Sequence, residues 1–169
     1  IQKITREEES QKVLIIGASY GKESTEALLM GIKENITEPT VFCINIATPK
    51  FTKLNQRDAR SALSKWEEMS ATCEEDVSKE VLKTSEKIKQ KNQIDFFDIV
   101  LIDSSILDIS TESLTILNGT KFIFLDGIDT DKSHNNYYKL IEDNEYILNS
   151  QNTCLRNGYA IFQKNSRYL

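Results

Sequence analysis

Apolar and polar positions fall into alternating blocks along this chain. Lys12-Val-Leu-Ile-Ile-Gly17 is a continuous apolar run closed by Gly, the pattern of a strand buried on both faces. After a short polar loop, residues 23–33 carry apolar positions at 28, 29 and 32 behind acidic residues in the first turn, which predicts a helix. Thr40-Val-Phe-Cys-Ile-Asn-Ile46 reads as a second strand, and Pro49 suits the first turn of a helix after it. Residues 50–93 are charged and lack Pro and Gly. Val77, Val81, Leu82 and Ile88 mark one apolar stripe, so the spacing predicts helix with a solvated charged face, Trp66 as a packing aromatic, and no clear third strand between 55 and 95. Phe97-Asp-Ile-Val-Leu-Ile-Asp103 and Lys121-Phe-Ile-Phe-Leu-Asp126 are two more apolar strands, each ending in an acid. Between them, residues 113–119 predict a short helix stopped by Gly119. Residues 137–143 predict another helix. Residues 146–150 and 158–162 flank an Arg156-Asn157-Gly158 turn as an antiparallel hairpin. The polar residues 1–11 are a lead-in, a short helix or a frayed end, to a single domain over 12–169.

Strands alternating with helices predict an α/β fold: a mostly parallel sheet covered on both sides, with the closing hairpin as an antiparallel edge. Composition narrows the setting. At 169 residues the chain suits one domain, and 26 acidic against 21 basic residues give a net charge of −5, which disfavours a nucleic-acid scaffold with its basic face. No apolar run approaches the roughly 18–20 residues of a membrane span. Cys43, Cys73 and Cys154 are odd in number and widely spaced, which argues against a disulfide framework or a zinc site and for reduced, buried or half-buried thiols in the cytoplasm. Asn35-Ile-Thr37 and Asn118-Gly-Thr120 are formal glycosylation triplets without a secretory signal, and are read as chance. A first residue of Ile rather than Met is the expectation for a piece of a longer multidomain chain.

In open parallel sheets, ligands bind beyond the carboxyl ends of the strands. Four such ends are polar or Gly-bearing here: Gly17-Ala18-Ser19-Tyr20-Gly21, Asn45, Asp103-Ser-Ser105 and Asp126-Gly127. A Gly-containing loop between strand and helix lets a ligand approach the backbone, and the helix amides then favour a carboxylate or phosphate.

From Lys12 to Lys164 this ordering resembles the class I S-adenosylmethionine-dependent methyltransferases. Val13-Leu-Ile-Ile-Gly17-Ala-Ser-Tyr-Gly21 is similar to their first motif. Arg156-Asn-Gly-Tyr-Ala-Ile-Phe162 resembles the tail of methyltransferase-like domains found beside glycosyltransferases. The resemblance implies a Rossmann-like three-layer sandwich whose reversed last strand is 158–162. It implies that Gly17, Ala18, Ser19, Tyr20 and Gly21 cradle the methionine part of S-adenosylmethionine. Asn45 would then meet the ribose hydroxyls, and Asp103 the adenosine or the reacting end. With the acidic net charge, the acceptor expected is a small molecule or saccharide rather than DNA. Asp126 and His134, following the fifth strand, are the candidate bases; His134 is the only histidine.

Three departures set the alternatives. Ile15 stands where the family has an acid, Asn45 replaces the ribose-binding acid, and the third strand is missing, which together describe a catalytically idle domain that keeps the fold for interaction or regulation. Gly17-Ala-Ser19-Tyr-Gly21 is also a literal G-x-S-x-G with an acid and His134 following in order, the pattern of a serine hydrolase. Only 16 residues precede it, too few for the strand that supplies an oxyanion loop. A nicotinamide site would need a further Gly and an acid near Asn45. Asp103 with Asp126 faintly resembles the acidic pair of catechol-type O-methyltransferases, but Gly127 replaces the following Asn, so no metal is expected.

Overall fold

The period-two burial of each apolar run decides which elements form the sheet and what covers it. The computed structural model describes residues 1–7, 12–17, 22–32, 34, 39–44, 51–54, 77–103, 113–154 and 157–168. Its strands are β1 (Lys12–Ile16), β2 (Thr40–Ile44), β3 (Phe51–Leu54), β4 (Ile99–Asp103), β5 (Phe122–Asp126), β6 (Tyr146–Asn152) and β7 (Tyr159–Lys164). Its α-helices are α1 (Gln2–Glu7), α2 (Lys22–Ile32), α3 (Val77–Asn92) and α4 (Asp131–Glu142), with 3-10 turns at Ser113–Leu117 and Ser166–Tyr168. The strands form one mixed sheet in the order β3-β2-β1-β4-β5-β7-β6.

The parallel centre is β2-β1-β4-β5, with Ile16 beside Ile44 on one side and Ile102 on the other. β7 runs antiparallel to both β5 and β6. The hairpin is therefore antiparallel as expected, but its second strand is the inner one, and the edge strand β6 points the same way as β5. Alternate residues face two separate cores. Leu14, Ile16, Phe42 and Val100 pack with Val81 and Ile88 of α3 and Leu140 of α4. Val13, Ile15, Cys43 and Leu101 pack with Leu28 and Ile32 of α2 and with Ile1 and Ile4. This strict alternation follows from side chains projecting to opposite faces of a pleated strand.

Two expectations require correction. The helix expected after Pro49 is replaced by β3, which pairs antiparallel with β2 from Ile44–Phe51 to Val41–Leu54 and supplies a third strand. The apolar spacing across 50–93 favours helix, but the open edge of β2 offers unpaired N–H and C=O groups to the chain that turns back beside it, and pairing wins over a local preference. The amphipathic stripe reappears as α3, where Val81 and Ile88 are fully buried. Trp66 and Cys73 lie outside the described residues. The second correction concerns α4, which starts at Asp131 rather than Tyr137. Its first turns are polar, and its inward side carries Asn136 before Leu140, so apolar periodicity signals only the second half. Cys43 is buried as expected, whereas Cys154 is exposed.

The lead-in takes its helical alternative. α1 packs on α2 at Gly31, where an added Cβ would collide with Thr5 Oγ1 and the Gln2 carbonyl. Thr5 is fully buried there and its hydroxyl donates to the Gln2 carbonyl at 3.0 Å. Gly31→Val is expected to push α1 off and cost about 2–3 kcal/mol by overpacking. Urea denaturation and faster amide exchange over residues 2–7 check this.

Tyr146 ties the 3-10 turn to β6: its phenol donates to the Leu117 carbonyl at 2.7 Å and the Thr120 carbonyl at 3.2 Å. Burial, with Glu145 and Asp143 adding repulsion, pushes its ionisation well above the ordinary value of 10.0. Because the folded phenol holds its proton longer than the unfolded one, this contribution is complete below about pH 10 and is lost as the pH rises toward the folded value. Urea midpoints are expected to fall above about pH 10 in the native chain and to fall less steeply in Tyr146→Phe.

Candidate functional site

The carboxyl ends of the central strands carry one row of polar positions. Gly17 ends β1 with φ +85°, a left-handed conformation that costs an L-residue about 1–2 kcal/mol. Its N–H donates to the Ile44 carbonyl at 3.1 Å, and the residue is buried. One step past the Ile16–Ile102 pair, Asp103 ends β4, and it is buried. Asp103 and Asp126 are register partners on β4 and β5, Asp126 is the partner of Tyr159 on β7, and Tyr159 is the partner of Asn152 on β6. By alternation from Leu101 and Phe124, both carboxylates lie on the face covered by α2.

A contact from α2 confirms that orientation: Ser24 Oγ donates to Asp126 Oδ2 at 2.7 Å. This hydrogen bond joins the first turn of the helix after β1 to the end of β5, reaching across β4. Ser24 escapes a reading for catalytic residue types, yet a signal exists. It sits four residues before Leu28 and eight before Ile32, so it is the polar end of the buried stripe of α2. Tyr159 is equally quiet in the sequence; it alternates with Ile161 and packs on the same core.

Beyond β5 the backbone is stitched to the hairpin turn. The Gly127 N–H donates to the Gly158 carbonyl at 2.8 Å, and the Asp129 N–H to the Asn157 carbonyl at 2.8 Å. Gly158 has φ +73°, and a Cβ there would approach Ile128 Cγ1 to 2.8 Å. The Asn157-Gly158 turn is thus a fixed wall beside the row, formed where only Gly fits.

Of the residues singled out by sequence, Gly17, Asp103 and Asp126 come together in this row. Ala18, Ser19, Tyr20, Gly21 and Asn45 lie outside the described residues, and so does the Ser19 on which the G-x-S-x-G alternative turns. His134 is exposed on α4, whose Leu140 packs on the opposite face of the sheet, and its ring meets Tyr138 edge-on at 4.9 Å. Asp126 therefore has a hydroxyl partner in Ser24 rather than an imidazole. Among the described residues no group of three or more His, Cys, Asp or Glu could hold a metal ion. Among them, too, no helix is long and apolar enough to cross a membrane.

In chemical terms the row combines a backbone position without a Cβ, a buried carboxylate next to it, and a second carboxylate held by a hydroxyl. Such a set can accept hydrogen bonds from hydroxyls and amines of a ligand lying across the strand ends. Burial also pushes the Cys43 thiol far above its ordinary ionisation range, so this cysteine, on β2 one position before Ile44, is no nucleophile.

No protein-family model matches this chain, and none of the curated proteins matches it. Among solved structures it is similar to cofactor-bound Rv0187 from MTB, at 15% sequence identity and a TM-score of 0.58, over 96% of this chain and 77% of that one. The likeness at this identity is one of fold: an α/β chain built on a mixed, mostly parallel sheet closed by an antiparallel hairpin.

Proposed function

We propose that this chain binds S-adenosylmethionine across the carboxyl ends of β1, β2 and β4 and transfers its methyl group to a small-molecule or saccharide acceptor. The observation that carries this reading is Gly17, buried and left-handed at the end of β1 beside the buried Asp103 of β4. Gly17 presents no Cβ at that strand end, which supports approach of the methionine part of the ligand to the backbone, and the Asp103 carboxylate can accept from its amine or from adenosine hydroxyls. The reversed strand β7, lying between β5 and β6, supports the same reading, as does a solved neighbour that is cofactor-bound. The covering of both sheet faces supports a Rossmann-like three-layer sandwich. Free thiols at Cys43 and Cys154 suit the cytoplasm.

When bound, the sulfonium of S-adenosylmethionine supplies an activated methyl group. The chain's own part is alignment of the acceptor and exclusion of water. Gly17 and Asp103 hold the ligand. Asp126, whose Oδ2 accepts from Ser24 at 2.7 Å, faces the same side, which supports a role in orienting an acceptor hydroxyl. The stitched 127–129 and 157–158 turns keep that wall rigid.

The Ser24–Asp126 bond also favours a second reading, a domain that binds the cofactor without turnover. The bond occupies Oδ2 of one candidate base, and the other, His134, is exposed on α4. Calorimetric titration with S-adenosylhomocysteine tests the binding common to both. Micromolar affinity is the expected result, and no binding at millimolar ligand overturns both. Ser24→Ala, which strips a charge-assisted bond from Asp126, is expected to cost about 1.5–3 kcal/mol of stability. A loss below that range in urea denaturation shows that the bond does not hold the site together.

A further inference from the structure

We propose that the Thr25 hydroxyl of α2 is held for a bound ligand and donates to the carboxylate in the methionine part of S-adenosylmethionine. The inference rests on the proposed binding of that cofactor and adds one residue to its site. Thr25 is 1% exposed, and its Oγ1 makes no hydrogen bond among the described residues. A helical Thr or Ser shut away from water can bond the carbonyl one turn back. Thr5 and Ser85, both fully buried in helices, do so: Thr5 donates to the Gln2 carbonyl at 3.0 Å and Ser85 to the Leu82 carbonyl at 2.7 Å. Thr25 does not. A buried hydroxyl without a partner destabilises the chain that carries it, and a ligand that supplies the partner removes that cost.

The fold says where such a partner lies. β1 and β2 are parallel, so α2, which connects them, runs back along the sheet and starts at the carboxyl ends of the strands. Thr25, Leu28 and Ile32 are buried at three- and four-residue spacing, and Leu28 and Ile32 pack with Val13 and Ile15 of β1. Thr25 is thus the first residue of the sheet-facing stripe, one turn nearer the strand ends than Leu28. The residue before it, Ser24, donates to Asp126 at 2.7 Å, which sets this turn of α2 over the row of strand ends. Thr120 makes the contrast. It is also fully buried with an unpartnered Oγ1, but it stands two residues before β5, at the opposite end of that strand from Asp126. A ligand across the carboxyl ends meets the turn of Thr25 and not that of Thr120.

A hydroxyl can donate or accept, and its surroundings choose between the two. The first turn of an α-helix offers N–H groups without intrahelical acceptors and the positive end of the helix dipole, so it favours an anionic group. Asp103 and Asp126 carry the opposite sign and suit an amine or a hydroxyl. The carboxylate of the methionine part at Thr25, and its amine at Asp103, then each meet matching chemistry.

Calorimetric titration with S-adenosylhomocysteine and with methylthioadenosine, the thioether that lacks the amino-acid part, tests the proposal. Thr25→Val nearly keeps the side-chain shape and removes the hydroxyl. It is expected to weaken S-adenosylhomocysteine about tenfold or more and to leave methylthioadenosine within about twofold, with a thermal midpoint no lower than that of the native chain. Thr25→Ser returns the hydroxyl and should restore most of the affinity, and Thr120→Val should leave it unchanged. Full affinity in Thr25→Val overturns the inference, as does an equal loss for both ligands. A Thr25→Val chain that melts earlier or does not fold overturns it too, because the hydroxyl is then already bonded in the free chain. If methylthioadenosine binds too weakly to measure, the Thr25→Ser rescue decides. Failure of the native chain to bind S-adenosylhomocysteine is a separate result, which overturns the proposed function and this inference with it.

Discussion

Asp98→Ala is expected to lower the free energy of unfolding by about 2–3 kcal/mol. Asp98 is 8% exposed and stands one residue before β4, where three strands begin. Its Oδ2 accepts from the Lys12 N–H at 2.9 Å, and its own N–H donates back to the Lys12 carbonyl at 2.7 Å. Its carbonyl accepts from the Lys121 and Phe122 N–H groups, both at 3.1 Å. Its Oδ1 meets Lys121 Nζ at 3.2 Å. One residue thus joins the starts of β1, β4 and β5. The truncation strips the Lys12 amide of a charged acceptor, and that lost bond dominates the cost. The Lys121 pair is 41% exposed on the lysine side and contributes little once screened. Asp98→Asn keeps an acceptor for Lys12 and should recover about half of the loss. Urea denaturation with unchanged slope measures both, and a loss below about 0.5 kcal/mol in Asp98→Ala would show that the backbone bonds alone hold this corner.

The second large effect is on ligand binding. On the proposed reading, Gly17→Val is expected to weaken S-adenosylhomocysteine binding at least 100-fold, about 2.7 kcal/mol, because a branched side chain is added at the strand end where that ligand would lie. The same substitution forces a β-branched residue into φ +85° and should cost a further 1–2 kcal/mol, roughly, in stability. Gly17→Ala separates the two contributions: it carries nearly the full backbone cost but only one carbon of steric bulk. Calorimetry on a variant shown to be folded by its thermal transition gives the binding effect alone. Unchanged affinity in Gly17→Val would remove the strand-end turn from the site.

How much of this was legible in the residues differs from element to element. β1, β2, β4 and β5 announce themselves because a central parallel strand is buried on both faces, so nearly every position must be apolar. α2 and α3 show their buried stripes for the same reason. β3 was hidden because an edge strand has one neighbour and no need for a wholly apolar run; Phe51-Thr-Lys-Leu54 fits a strand as well as a helix until β2 lies beside it. The start of α4 was hidden because its buried side includes Asn136. At the site, Gly17, Asp103 and Asp126 stood out as polar or Gly endings of apolar runs, whereas Ser24 looked like any first-turn serine.

The amino-acid sequence by itself determined the α/β class, the four-stranded parallel centre and the placing of polar groups at the strand ends, since hydrophobic period and strand termini are local properties. Tertiary structure alone decided the rest. Strand order, the reversal of β3 and the insertion of β7 between β5 and β6 depend on which open edge each strand finds. The facing of Asp103 and Asp126 toward α2, and the choice of Ser24 rather than His134 as the partner of Asp126, depend on register, and a shift of one residue would turn every one of these side chains to the other face.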